Sequence, residues 1–301
     1  MTRSARTSVL AAGALSLLPG LSAVAQVPTG FSEHSLTSSG DARSYLLYVP
    51  ENPAGPAPLL FSFHGSGGVP QNQVDTSGFD RLADEFGFVA VFPAGAFTTS
   101  VPARSWNANV EPGVDDVQFV RDMIEDVAAM LSIDRSRIYT SGMSGGGRMS
   151  SRLACELSDV LAAAAPVAGL QYPDDCIVSR PIPIITFHGL ADRVNQYEVS
   201  ESSRPYWRMG VETALDKWRQ ADGCSLANTD DRLSQEVTFY RWSECDGAAE
   251  IHFYQIKNGG HTWPGAAIPV NADIEGLDLI VNQDIDASRL IWEFFVRHSL
   301  P

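Results

Sequence analysis

Short, nearly continuous apolar runs recur along the chain, at Leu59–Phe63, Phe88–Phe92, Arg137–Thr140, Ala163–Val167, Ile184–Phe187 and Ile251–Ile256. Runs of this length predict strands buried on both faces. Between the second and third, Val117, Val120, Ile124, Val127, Ala128 and Leu131 recur at helical spacing, which predicts a helix over Asp116–Leu131. Asp115 and Asp116 suit the positive end of that helix. A second helical stretch runs from Arg148 to Leu157, and a third from Ala287 to His298 turns Leu290, Ile291, Phe294 and Phe295 inward. Strand-then-helix alternation predicts an α/β fold with a mainly parallel sheet and helices on both faces. The segment from Tyr197 to Gly247 is less regular and is expected to decorate the sheet near the strand ends, where open α/β folds bind ligands.

The first residues read differently. Arg3 and Arg6 precede an apolar run from Val9 to Leu18 and small residues ending Ala23-Val24-Ala25, the pattern of a secretory signal peptide over residues 1–25. Pro19 and Gly20 break the run, which is too short to span a bilayer, and nothing later is long and apolar enough to do so. Residues 26–301 are expected to form a single catalytic domain with no binding module after it, and 44% hydrophobic content suits one large core.

The formal charge of −15 argues against nucleic acid as a partner. Four cysteines in an exported chain are expected to pair. Pairing of sequence neighbours gives Cys155–Cys176 and Cys224–Cys245, and no clustered Cys/His spacing supports a metal site.

The central motif is Gly142-Met143-Ser144-Gly145-Gly146, a G-x-S-x-G between the strand Arg137–Thr140 and the helical stretch from Arg148. A serine hydroxyl is a weak nucleophile until a base takes its proton, and a strained strand-to-helix turn lifts its oxygen clear of the backbone. Ser144 is therefore the candidate nucleophile.

The oxyanion of an acyl-transfer intermediate needs N–H donors. One is expected from Gly145, and a second from His64-Gly65-Ser66-Gly67-Gly68, which follows Leu59–Phe63. Within that loop Ser66 is the first choice and Gly65 the next, with His64 as a structural residue.

For the acid, Asp192 stands in the turn after Ile184–Phe187, better placed than Asp174 or Asp175 in their cysteine-bounded loop. For the base, His261 alone of six histidines lies on a loop just after a late strand, in Asn258-Gly259-Gly260-His261-Thr262-Trp263-Pro264-Gly265. His34 lies near the expected mature start, His64 and His188 in glycine turns, His252 in a strand and His298 in the last helix. Trp106 and Trp263 are candidates to line an apolar substrate pocket.

These motifs resemble the secreted polyhydroxybutyrate depolymerase and feruloyl esterase family, a group like carbohydrate esterase family 1 that includes LpqC-type esterases. The resemblance rests on His64–Gly68, Gly78-Phe79-Asp80 through Phe92-Pro93, Trp106-Asn107, Val114-Asp115-Asp116-Val117, Gly142–Gly146, Phe187-His188-Gly189 with Asp192, Gly259–Gly265 and Ile291–Phe295. It implies an α/β-hydrolase fold, no cofactor, and a triad of Ser144, Asp192 and His261. The expected partner is an ester substrate: hydroxybutyrate oligomers, feruloylated or acetylated plant saccharides, or short acyl esters. The same triad geometry cleaves amides, so a peptidase is the rival enzyme. A binding protein on a hydrolase scaffold is the rival from another class, and such proteins usually lose a triad member.

Overall fold

The computed structural model describes residues 1, 27–96, 104–225, 229–267 and 280–301. Apart from Met1, the expected signal peptide and its cleavage point lie outside the described residues.

One ten-stranded sheet organises the rest, in the order β1-β2-β4-β3-β5-β6-β7-β10-β9-β8. Its strands are β1 (Gly30–Ser38), β2 (Asp41–Val49), β3 (Ala57–Phe63), β4 (Val89–Pro93) and β5 (Ile133–Met143), then β6 (Ala163–Val167), β7 (Ile184–Gly189), β8 (Thr229–Arg232), β9 (Val237–Trp242) and β10 (Ile251–Ile256). The run from β4 through β3, β5, β6 and β7 to β10 is parallel. Antiparallel strands flank it on both sides, β1 and β2 at one edge, β9 and β8 at the other.

Burial explains the apolar runs. Every residue of β3 is buried, and its side chains alternate between two cores, with Leu59, Phe61 and Phe63 in one and Leu60 in the other. The first core also holds side chains of α3 (Asp116–Met130), α4 (Gly145–Glu156) and α5 (Val211–Ala221). The second holds side chains of α1 (Pro70–Ser77), α2 (Phe79–Phe86) and α6 (Ala287–Phe295). Helices thus cover both faces. No helix among the described residues is long and apolar enough to cross a membrane.

At the start of α3, Asp115 caps the helix by accepting from Gln118 N–H at 2.9 Å. Asp116 instead turns inward, where it accepts from Arg43 Nη2 and from Asn107 N–H, both at 2.7 Å. A buried carboxylate needs such partners.

The segment 197–247 corrects the sequence reading. It is not mere decoration, because α5 buries Ala214, Leu215 and Trp218 in the core and β8 and β9 extend the sheet. These strands escape an apolar-run search because β8 reads Thr-Asp-Asp-Arg and β9 is half-exposed. The disulfides Cys155–Cys176 and Cys224–Cys245 are both present. The first ties the end of α4 to the loop after β6, and the second ties the end of α5 to the loop after β9.

The strand order places the chemistry. From β3 the chain moves to β4 on one side, then crosses to β5 on the other. Carboxyl ends of strands at such a reversal form the crevice where α/β sheets bind ligands. The loops leaving β3 and β5 there are 64–68 and Ser144.

Candidate active site

β5 ends at Met143 and α4 begins at Gly145, so Ser144 alone makes the turn. Its backbone takes φ 56° and ψ −114°, a left-handed conformation that costs a non-glycine residue about 1–3 kcal/mol. The surroundings hold it there: its N–H donates to the Val167 carbonyl and its carbonyl accepts from Arg148 N–H, each at 2.9 Å. From Ile138 to Cys155 every residue is buried except Ser144. The turn therefore presents one hydroxyl out of a packed wall.

The flanking glycines are steric requirements. A Cβ on Gly146 would stand 2.0 Å from the Phe63 carbonyl oxygen, and one on Gly142 would stand 2.6 Å from Gly146. The same closeness brings the loop after β3 against the nucleophile: a Cβ on Gly65 would meet the Ser144 Cβ at 3.6 Å, and one on Gly145 would meet Ser66 N at 3.0 Å.

That loop is held from beneath by His64. Gly95 N–H donates to His64 Nε2 at 3.0 Å, so the proton sits on Nδ1, which donates to the Gly65 carbonyl at 2.8 Å. Burial pulls the imidazole down to about 4, helped by the charge of Arg104 against the bond to Gly65, so it stays neutral. Gly67 N–H is taken by the Arg104 carbonyl and Gly68 N–H by the Gly65 carbonyl. The N–H groups of Gly65, Ser66 and Gly145 are left with no acceptor among the described residues. They are the donors still available to a bound oxyanion.

The acid and base loops leave β7 and β10, which pair in parallel. A Cβ on Gly189 would stand 2.0 Å from the Gly259 carbonyl oxygen, so the two loops pass at glycine-only distance. Ala191 N–H donates to the Gly259 carbonyl at 3.0 Å and laces them together. The result is a bond of 2.7 Å between His261 Nδ1 and Asp192 Oδ2, both side chains buried. The other carboxylate oxygen, Oδ1, accepts from Val194 N–H at 2.8 Å and Asn195 N–H at 2.9 Å.

Burial pushes the Asp192 carboxyl up. The facing His261, with its charge and hydrogen bond, together with His188 and Asn195 N–H, outweighs burial and holds it below the ordinary carboxylate range. An ionised Asp192 fixes the proton of His261 on Nδ1 and leaves Nε2 free to accept one. Chemically, the arrangement offers a partly exposed alcohol, an oriented imidazole and unengaged N–H donors, the parts of a nucleophilic acyl-transfer site.

Two sequence expectations need correction. Trp106 and Trp263 do not face an open pocket, being only 3% and 1% exposed. Trp106 donates from Nε1 to the His64 carbonyl at 2.8 Å and packs edge-on against Phe63. Trp263 donates to Ser288 Oγ at 2.9 Å and packs on Phe79. Each indole braces a site loop from the core side.

The sequence reading missed three residues. Asn195 N–H caps Asp192 while its Nδ2 donates to the Ala168 carbonyl at 2.6 Å, and the Asp-x-x-Asn spacing of an Asx turn was its signal. His188 lies 3.4 Å from Asp192 Oδ2 and 2.8 Å from the Asn195 carbonyl, and burial holds it below the usual histidine range. Arg148, one turn beyond Ser144, has no motif to mark it.

Comparison with known proteins is consistent with this geometry. A family model described as Esterase PHB depolymerase matches residues 43–249. A bifunctional acetylxylan esterase/xylanase from Neocallimastix patriciarum is 30% identical over 244 residues, 81% of this chain and 34% of that protein. Feruloyl esterase B from Piromyces equi is 31% identical over 217 residues, 68% of this chain and 39% of that protein. The chain thus spans little more than a third of the length of these relatives. Among solved structures, an acetyl xylan esterase from Aspergillus awamori superposes with a TM-score of 0.58 at 15% identity, covering 80% of this chain and 96% of that one. The likeness shows the α/β-hydrolase fold.

Proposed function

This chain belongs to the esterase PHB depolymerase family, and on that premise we propose that it is a secreted serine hydrolase of carboxylic esters. The observation that carries the reading is the 2.7 Å bond between Asp192 and His261, together with a nucleophile turn in which Ser144 alone is not buried.

In this reading His261 Nε2 takes the Ser144 proton as Oγ attacks the ester carbonyl. The N–H groups of Gly145 and Ser66, with Gly65 in reserve, stabilise the oxyanion. His261 then returns the proton to the leaving alcohol, and the acyl group remains on Ser144. Water, deprotonated by the same imidazole, releases the acid and regenerates the serine. Asp192 keeps the tautomer and stabilises the imidazolium throughout.

The substrate class comes from the relatives: acetyl or feruloyl esters of plant polysaccharides, or polyhydroxybutyrate oligomers. Secretion is supported by the disulfides and by the signal-peptide pattern over residues 1–25. Residues 26–301 act as one catalytic unit.

The test is hydrolysis of p-nitrophenyl butyrate by the parent and by Ser144→Ala. The variant is expected to stay folded, lose turnover and escape labelling by a fluorophosphonate. Retained turnover in a folded Ser144→Ala protein overturns the assignment. A panel of methyl ferulate, acetylated xylan and hydroxybutyrate oligomers ranks the ester classes.

A further inference from the structure

Arg148 is a buried cation without a counter-ion among the described residues. Its residue is 7% exposed, yet no carboxylate among the described residues pairs with it, and its Nε is buried with no hydrogen-bond partner. The guanidinium lies 4.2 Å from the Tyr206 ring centre, and one Nη lies 3.5 Å from Ser66 Oγ. A ring face and one long contact leave most of its five N–H donors unanswered. Burying an unpaired charge is costly enough that such groups are normally paired.

The surroundings show what is missing. Arg148 lines a cleft of about 540 Å³ together with Gln171, Tyr172, Asp175, Arg208 and Met209, a size that takes a small ligand. The other arginine of that lining, Arg208, is already neutralised by Asp174 at 2.5 Å. The three carboxylates of that lining, Glu156, Asp174 and Asp175, are exposed, so water and salt screen them, and Glu156 is paired with Arg152 at 2.6 Å. Against a chain of formal charge −15, Arg148 is the point in the cleft that attracts an anion.

Position adds the link to the reaction. Arg148 N–H donates to the Ser144 carbonyl, so the guanidinium stands on the nucleophile's own helix. Ser66, whose Oγ it touches, supplies one of the proposed oxyanion donors. The guanidinium therefore borders both the cleft and the loop that supplies a proposed oxyanion donor.

We infer that Arg148 is a specificity residue that recognises a carboxylate on the ester substrate, so the preferred substrates are acidic esters. A carboxylate matches the planar fork of the guanidinium and satisfies the donors that the protein leaves open. The inference rests on the hydrolase reading above and narrows it. The carboxylate is carried by the acyl part or by the alcohol part, as in an oligomeric hydroxy acid or a uronate-bearing saccharide.

Two matched pairs test it: mono-p-nitrophenyl glutarate against p-nitrophenyl valerate, with the charge on the acyl side, and 4-acetoxybenzoate against phenyl acetate, with the charge on the alcohol side. In at least one pair the parent is expected to favour the charged ester by about tenfold or more in kcat/KM, mainly through KM. Arg148→Met is expected to lower that charged-to-neutral ratio by about tenfold, and Arg148→Lys to restore part of it. A parent ratio near unity in both pairs, or one that Arg148→Met leaves unchanged, overturns the inference. Should Arg148→Met not fold, glutarate inhibition of neutral-ester hydrolysis by the parent decides. Competitive inhibition that weakens with salt supports the carboxylate site, and no inhibition at low salt overturns it. Ser144-dependent cleavage of the neutral esters is read separately, so this inference can fail while the hydrolase assignment stands.

Discussion

Asn195 ties the acid loop to the strand beside the nucleophile: its Nδ2 donates to the Ala168 carbonyl at 2.6 Å, and its N–H donates to Asp192 Oδ1 at 2.9 Å. Ala168 directly follows β6, whose last residue, Val167, accepts the Ser144 N–H. One asparagine thus connects the acid to the serine through a single short segment. Removing only its amide, in Asn195→Ala, leaves the backbone cap intact and frees a buried carbonyl. We expect a stability loss of about 1–3 kcal/mol in denaturant unfolding. We also expect kcat to fall about tenfold while KM holds, because a small misplacement of the acid–base pair is expensive in rate. A stability loss with kcat unchanged would make Asn195 structural only.

Asp192→Asn separates orientation from charge. The amide preserves the shape but places a donor or a weak acceptor opposite His261 Nδ1, which favours the wrong tautomer. On the precedent of serine proteases, kcat is expected to drop by about 10⁴ with the fold retained. Circular dichroism and thermal unfolding should match the parent, since Val194 and Asn195 N–H can still bond the amide oxygen. A loss of tenfold or less would remove Asp192 from the triad.

Glycine at 146 is tested by Gly146→Ala. The added methyl would overlap the Phe63 carbonyl at 2.0 Å, and both partners are backbone that cannot rotate away. The predicted destabilisation exceeds about 3 kcal/mol, seen as a lowered midpoint or as loss of soluble protein. Normal stability and activity in this variant would show that α4 can slide without cost.

Some of this was legible in the sequence because the relevant physics is local. Strands buried on both faces need continuous apolar runs, and β6 and β10 match the expected limits residue for residue. The nucleophile turn and the Gly-Gly-His loop were legible because close backbone approach admits only glycine. What escaped depends on pairing across the chain. β8 and β9 carry polar residues that make sense only at a sheet edge, and α5 was hidden in a stretch where four apolar anchors are spread among charged neighbours. Burial of Trp106 and Trp263 was invisible because an indole serves a pocket wall and a core equally well. Arg148 carries no signal at all until its missing counter-ion is seen.

The disulfide Cys155–Cys176 closes a loop of sequence separation 21 and fastens the end of α4 to the rim of the Arg148 cleft. Loop-closure entropy assigns it about 3 kcal/mol. A Cys155→Ala/Cys176→Ala variant should unfold at correspondingly lower denaturant while keeping most of its activity on neutral esters, since neither residue touches Ser144. An unchanged midpoint would mean that the bond does not constrain the unfolded chain.

Asp222 predicts how stability responds to pH. Its carboxyl is buried at the end of α5, where Oδ1 accepts from Ile182 N–H at 3.0 Å and Oδ2 has no partner among the described residues. Burial pushes it up to about 7, against the pull of the Ile182 N–H and Arg180. The unfolded chain has the ordinary aspartate value near 3.9, so between these values the folded state binds the extra proton. Stability from this group is therefore full below about pH 4 and declines as pH rises through about 7, by up to about 1.4 kcal/mol per unit within the window. Asp222→Asn cannot ionise, keeps an oxygen for Ile182 N–H and is expected to flatten that decline. At pH 8 it should be more stable than the parent, and near pH 4 the advantage should vanish. Parallel stability curves for parent and variant between pH 4 and pH 8 would show that Asp222 titrates normally in the folded protein.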